Sequence, residues 1–163
     1  MRITIHGSLF TKRKRKLLRD FARWSGKKLL GKKLNRQVIL NIDLLSSEYK
    51  KEGCYGFCEI DEYFGPYARK FTIGITDKFE IMRSLVILSH EMVHLKQYAK
   101  GELRHCGQTG CLRWNGTGLV DNGDISYWDL PWEIEAHGRE KGLVYQWADA
   151  RGYKDNQWFR TVF

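Results

Sequence analysis

SLVILSHEMVHLKQY (residues 84–98) contains His90-Glu91-Met92-Val93-His94, the pattern H-E-x-x-H. Two residues four apart on an α-helix lie one turn apart and differ by about 40° in direction, so their imidazoles can converge on one ion. Glu91 sits about 100° round from His90. There it can flank such an ion without binding it and take a proton from water held on it. Ile81, Leu85, Leu88, Met92, Leu95 and Ala99 fall on the side away from the histidines, whereas Arg83, Val86 and Gln97 share the histidine side. The expectation is an amphipathic helix over 78–99 that buries its back and turns His90 and His94 toward a cleft. Ordinary helices also carry histidine pairs, so a third donor decides the reading.

That donor is sought in YWDLPWEIEAHGREKG, which begins at Tyr127 and holds Glu133, Glu135, His137 and Glu140. Proline is tolerated in a first turn, so Pro131 is compatible with a final helix over 131–151. Glu133 and His137 share a face of that helix, while Glu135 points about 160° away from both. One group of the pair would bind metal and the other would orient a ligand by hydrogen bonding. Glu133 is the preferred ligand and His137 the outer partner, with the swapped assignment open. Zinc accepts imidazole nitrogen and carboxylate oxygen in a tetrahedral shell and leaves a fourth place for water. One catalytic Zn2+ on His90, His94 and Glu133 is therefore the expected cofactor.

H-E-x-x-H followed by Glu133-Ile134-Glu135-Ala136 on a later helix resembles the zincin metallopeptidases, especially their gluzincin branch. The second segment is similar to that of ImmA/IrrE-like peptidases, in which the first glutamate is the ligand and an Asp or Asn often stands near the place of His137. Compact size and basic charge also resemble SprT-like proteases, which act on DNA-bound proteins and use a third histidine. The resemblance covers about residues 70–145. It implies an α+β fold: a compact zincin-like domain with a small mixed or antiparallel sheet, an active-site helix and a later helix carrying the third ligand. It further implies a zinc-dependent peptidase with Glu91 as general base and a protein or peptide as substrate. Small zincins of this kind are common in phage genomes, which implies a viral source by analogy. Zincins pair an extended substrate with an edge strand ahead of the active helix, and KFTIGIT (70–76) is the expected edge. They often add a Tyr, His or Arg donor to the scissile carbonyl. Tyr127 is the first candidate, Arg113 and His105 the weaker ones, and a purely structural Tyr127 is the competing reading.

The rest of the chain frames this centre. At 163 residues, 42% hydrophobic, one domain over 1–163 with a genuine core is the expectation. RITIH (2–6) and RQVILNIDLL (36–45) alternate like strands, and CYGFCEID and ARKFTIGIT flank the Gly65-Pro66 turn of a hairpin. Residues 101–126 read as a Gly-rich loop with a strand near CLRWNG, and the tail holds Trp158, Phe159 and Phe163 as docking side chains.

Residues 11–33 form a basic helix whose Arg15, Arg19, Arg23 and Lys27 recur every four residues. With a net charge of +9, this stripe can bind nucleic acid, and a solvated face is the plainer reading. The alternative function is thus a nucleic-acid-binding or phage accessory protein on a zincin scaffold, with a structural zinc. No apolar run approaches the ~20 residues of a membrane span and no secretory h-region follows the N-terminal charges, so no membrane partner is expected. A cytosolic location, or the host-cell interior for a phage protein, follows. Cys54, Cys58, Cys106 and Cys111 are then expected as buried thiols. A second zinc on all four, with His105, is the alternative.

Overall fold

The computed structural model describes residues 1–7, 11–45, 55–76, 79–106, 111–115, 119–121 and 123–160. Strand β1 (Arg2–His6) leads into helix α1 (Lys12–Asn35), which returns the chain to β2 (Ile39–Leu45). The Thr11 hydroxyl accepts a hydrogen bond from the Lys14 N–H at 3.2 Å and so caps α1. Leu18, Phe21, Ala22, Ser25 and Leu29 form the buried face of α1, and Gly31 breaks its last turns with φ of 71°. A helical crossover joins parallel strands, and β1 pairs parallel with β2 accordingly.

The hairpin of β3 (Gly56–Phe64) and β4 (Tyr67–Thr76) completes a mixed sheet in the order β1-β2-β4-β3. β4 is parallel to β2 on one side and antiparallel to β3 on the other. KFTIGIT is therefore an interior strand, and the expectation that it forms the edge is corrected. The edge beside the next helix is β3. Asp61 is the extra residue of a bulge between Ile60 and Glu62, and its carboxylate accepts from Thr72 Oγ1 at 2.9 Å.

Helix α2 (Ile81–Lys100) runs between the sheet, α1 and the later helix α3 (Pro131–Ala150). Leu85, Leu88, Met92 and Leu95 of α2 are wholly buried beside Phe71, Ile73 and Ile75 of the sheet in one apolar core. Packed from three directions, α2 buries fourteen of its twenty residues, His90, Glu91 and His94 among them. It ends at Gly101, whose left-handed φ of 72° directs its N–H back to the Gln97 and Tyr98 carbonyls.

A small antiparallel sheet, β5 (Leu103–His105), β6 (Leu112–Trp114) and β7 (Leu119–Asp121), follows, with β6 in the CLRWNG segment. A single 3-10 turn, Tyr127–Asp129, then enters α3, whose first residue is Pro131. α3 is tied to α1 by Asp20, which accepts from Trp147 Nε1 at 2.9 Å and from Arg151 at 2.8 and 3.1 Å. In the short helix α4 (Gln157–Arg160), Phe159 is buried and Trp158 half-buried against the core; Phe163 lies outside the described residues. Among the described residues no helix is long and apolar enough to cross a membrane. The architecture is α+β, helices packed on a small mixed sheet.

Candidate metal centre

α2 and α3 pack against each other so that His90, His94 and Glu133 point their donor atoms at one another. His90 Nε2 lies 3.0 Å from His94 Nε2 and 3.2 Å from Glu133 Oε2, and His94 Nε2 lies 3.3 Å from Glu133 Oε1. All three residues are buried, each about 8% exposed.

The hydrogen bonds behind the rings show what this cluster can hold. Gln97 Nε2 donates to the Trp132 carbonyl at 2.9 Å and to Glu135 at 3.1 Å. That fixes the amide, so its oxygen faces His94 Nδ1 at 2.9 Å and requires a proton there. His90 Nδ1 faces the Glu140 carboxylate at 3.0 Å and is protonated by the same logic. With both Nδ1 positions donating, each neutral imidazole presents a lone pair at Nε2. Two lone pairs and a carboxylate then converge, and Glu133 Oε2 is buried without a hydrogen bond of good geometry. A cation satisfies such a set. A tetrahedral ion with bonds of about 2.0–2.1 Å needs donors roughly 3.3–3.4 Å apart, close to the observed separations. The residues present fit a zinc-sized dication.

The metal-free electrostatics carry the same message. Burial alone would lower the His90 pKa, but hydrogen bonds to Glu133 and Glu140 and the charge of Glu91 outweigh it and lift it to about 9. Burial would raise the Glu133 carboxyl, yet His90 and His94, helped by Tyr127, hold it well below the usual carboxylate range. Glu91 is buried beside the cluster, and desolvation lifts it to about 7 against the opposing pull of the two histidines. Without a metal, protons on the imidazoles supply the positive charge that these carboxylates favour, and a bound cation would take their place.

Each side chain singled out from the sequence has a definite place. Glu91 and His90 line a cleft of about 530 Å3 with Tyr55, Gly56, Arg83, Tyr127, Trp128, His137 and Glu140. Tyr127 stands across that cleft, its hydroxyl 3.2 Å from His137 Nε2. The His137 ring lies 4.5 Å from the His90 ring at a tilt of 58°, and its Nδ1 reaches Glu140 at 3.3 Å. His90, His137 and Glu140 form a second group with metal-like spacing. In it both Nδ1 atoms face the shared Glu140 carboxylate, at 3.0 and 3.3 Å. Glu135 points away and pairs with Lys96 at 2.6 Å and Arg139 at 3.0 Å.

The hydrogen-bond partners behind the two rings are Glu140 and Gln97, while His137, the outer partner expected from the sequence, reaches Glu140. Glu140 lies seven residues beyond Glu133, two turns along the same face, and Gln97 already fell on the histidine side. Those spacings were the available signals. Arg113 and His105 stand outside the cluster, on β6 and β5, where His105 stacks on Tyr98 at 5.7 Å. Cys58, Cys106 and Cys111 are half-buried thiols, and Cys54 lies outside the described residues. On the basic helix, Arg15 donates to the carbonyls of Ile5 and Gly7, whereas Arg23 and Lys27 are exposed and Arg19 half-exposed.

Neither a protein-family model, nor a curated protein, nor a solved structure matches the chain.

Proposed function

We propose that the protein is a zinc-dependent metallopeptidase of zincin type. The observation that carries the reading is the convergence of His90 Nε2, His94 Nε2 and the Glu133 carboxylate, within 3.0–3.3 Å of one another, beside the buried Glu91. When bound, zinc lowers the pKa of water and polarises a carbonyl oxygen. His90, His94 and Glu133 would hold it, with Glu140 and Gln97 keeping both imidazoles in the binding tautomer. The cleft in front of His90 and Glu91 favours a catalytic ion, since structural zinc sites are closed by four protein donors.

Glu91 takes the proton of the attacking water and delivers it to the leaving amine of the peptide. Strand β3, at the edge of the sheet among the described residues, borders the cleft at Gly56, and an extended peptide would lie alongside it. Tyr127, facing the same cleft, is placed to donate to the carbonyl oxygen as negative charge develops there.

The test compares wild type with Glu91→Gln for zinc content and for cleavage of an unfolded protein such as casein. The expected result is unchanged zinc and a loss of at least ~10²-fold in rate. A Glu91→Gln protein that cleaves as fast as wild type would end this reading.

A further inference from the structure

The excess positive charge sits in one place. Eleven of the 28 lysines and arginines but only one of the 19 acids lie in α1, so the rest of the chain holds seventeen cations against eighteen acids. The one acid, Asp20, is neutralised by Arg151. Beside it, Arg13, Lys16, Arg19, Arg23 and Arg151 surround a groove of about 670 Å3 whose wall also contains Leu17, Tyr153 and Trp158. The groove continues past Trp158 into a smaller hollow of about 230 Å3 that shares Arg13 and Leu17. Trp158 and Tyr153 are half-buried with ring centres 5.8 Å apart.

We propose that this groove binds single-stranded nucleic acid, with phosphates on Arg13, Lys16, Arg19 and Arg23 and a base against Trp158 or Tyr153. Lys16, Arg19 and Arg23 recur at three- and four-residue intervals, a cation every 5–6 Å or so along the helix. A row of cations along a groove follows a phosphate backbone, and aromatic walls accept any base through its π-face. A duplex keeps those faces stacked and gains nothing from Trp158. The site differs from the stripe read in the sequence. Arg15 is occupied by backbone carbonyls and Lys27 does not line the groove, while Arg13, Lys16 and Arg151 do. It shares no lining residue with the metal cleft, so it stands or falls apart from the peptidase reading.

Fluorescence anisotropy with a labelled oligothymidylate of about 15 nucleotides, and with a duplex of equal length, tests it. The single strand is expected to bind at least about tenfold tighter than the duplex. Four phosphate contacts give a log–log salt slope near −2.8, roughly a 50-fold loss between 0.05 and 0.2 M salt. Arg19→Glu with Arg23→Glu should weaken single-strand binding by at least about tenfold. Lys32→Glu with Lys33→Glu, the same charge change on the same helix outside the groove, should stay within about threefold. If the first pair fails to fold, Lys16→Gln with Arg23→Gln, both at exposed positions, carries the same comparison. Equal losses in the groove and control pairs, or a duplex bound as tightly as the single strand, would show diffuse surface charge and overturn the groove site.

Discussion

At each imidazole of the metal centre the nitrogen that faces away from the cluster already has an acceptor, Glu140 for His90 and Gln97 for His94. These acceptors decide which nitrogen carries the lone pair, so under the proposed function they would act on metal affinity without touching the ion. Glu140→Ala should weaken zinc binding by about 10–100-fold in competition with a chromophoric chelator. Arg139→Ala, on the same helix but pointing to Glu135, should leave it unchanged. Equal affinities for Glu140→Ala and wild type would show that the carboxylate does not set the tautomer. His90, Glu91, His94 and Glu133 were legible in the sequence because their relations are helical periodicities within one helix or a charged group at a helix start. Glu140 and Gln97 were not, because their roles exist only once α2 and α3 dock.

At the scale of elements, the approach of β3 to α2 depends on one residue without a side chain. A Cβ at Gly56 would stand 2.5 Å from Ile87 Cγ2 and 3.0 Å from Glu91 Oε1. Gly56→Ala must therefore push the edge strand away from the active helix. A loss of about 1–3 kcal/mol in denaturant-measured stability is expected, as for other overpacked sites. Gly142 in α3 is the contrast, since a Cβ there meets nothing within 4 Å and the backbone is helical. Gly142→Ala should stabilise by about 0.4–1 kcal/mol, and a destabilised Gly142→Ala would contradict the packing described for α3.

The helices and the hairpin were readable from local periodicity, but the interior position of β4 was not. Thr72, Gly74 and Thr76 imitate the solvent side of a half-exposed strand. In the fold Gly74 lies under the Phe57 ring and Thr76 is only 3% exposed. The parallel partner that makes β4 interior is β2, separated from it in sequence by the whole of β3, and no local pattern announces that pairing.

Across the whole molecule, the proposed metal binding would be coupled to folding, because the triad joins two helices that the unfolded chain leaves apart. Zinc at about 100 times its Kd should add about 2.7 kcal/mol, read as a rise in Tm that a chelator reverses. An unchanged Tm would mean that the triad binds no metal at these concentrations.

The second long-range tie, Asp20 of α1 to Arg151 and Trp147 at the end of α3, has its own pH signature. The hydrogen bond from Arg151 outweighs partial burial and holds the Asp20 carboxyl below its ordinary value. A depressed carboxyl stabilises the fold above the unfolded-state pKa of about 3.9, and the contribution fades as pH falls from there through the folded value. Both partners are 38% exposed, so screening keeps the pair below about 1 kcal/mol. Asp20→Asn retains an acceptor for the Trp147 indole and removes the charge together with one of the two oxygens that accept from Arg151. It should melt below wild type at pH 6 and low salt, and the difference should shrink as pH falls below about 4 or as salt approaches 1 M. A difference that persists at both extremes would mean that the side chain acts through packing, and the electrostatic tie between α1 and α3 would have to be abandoned.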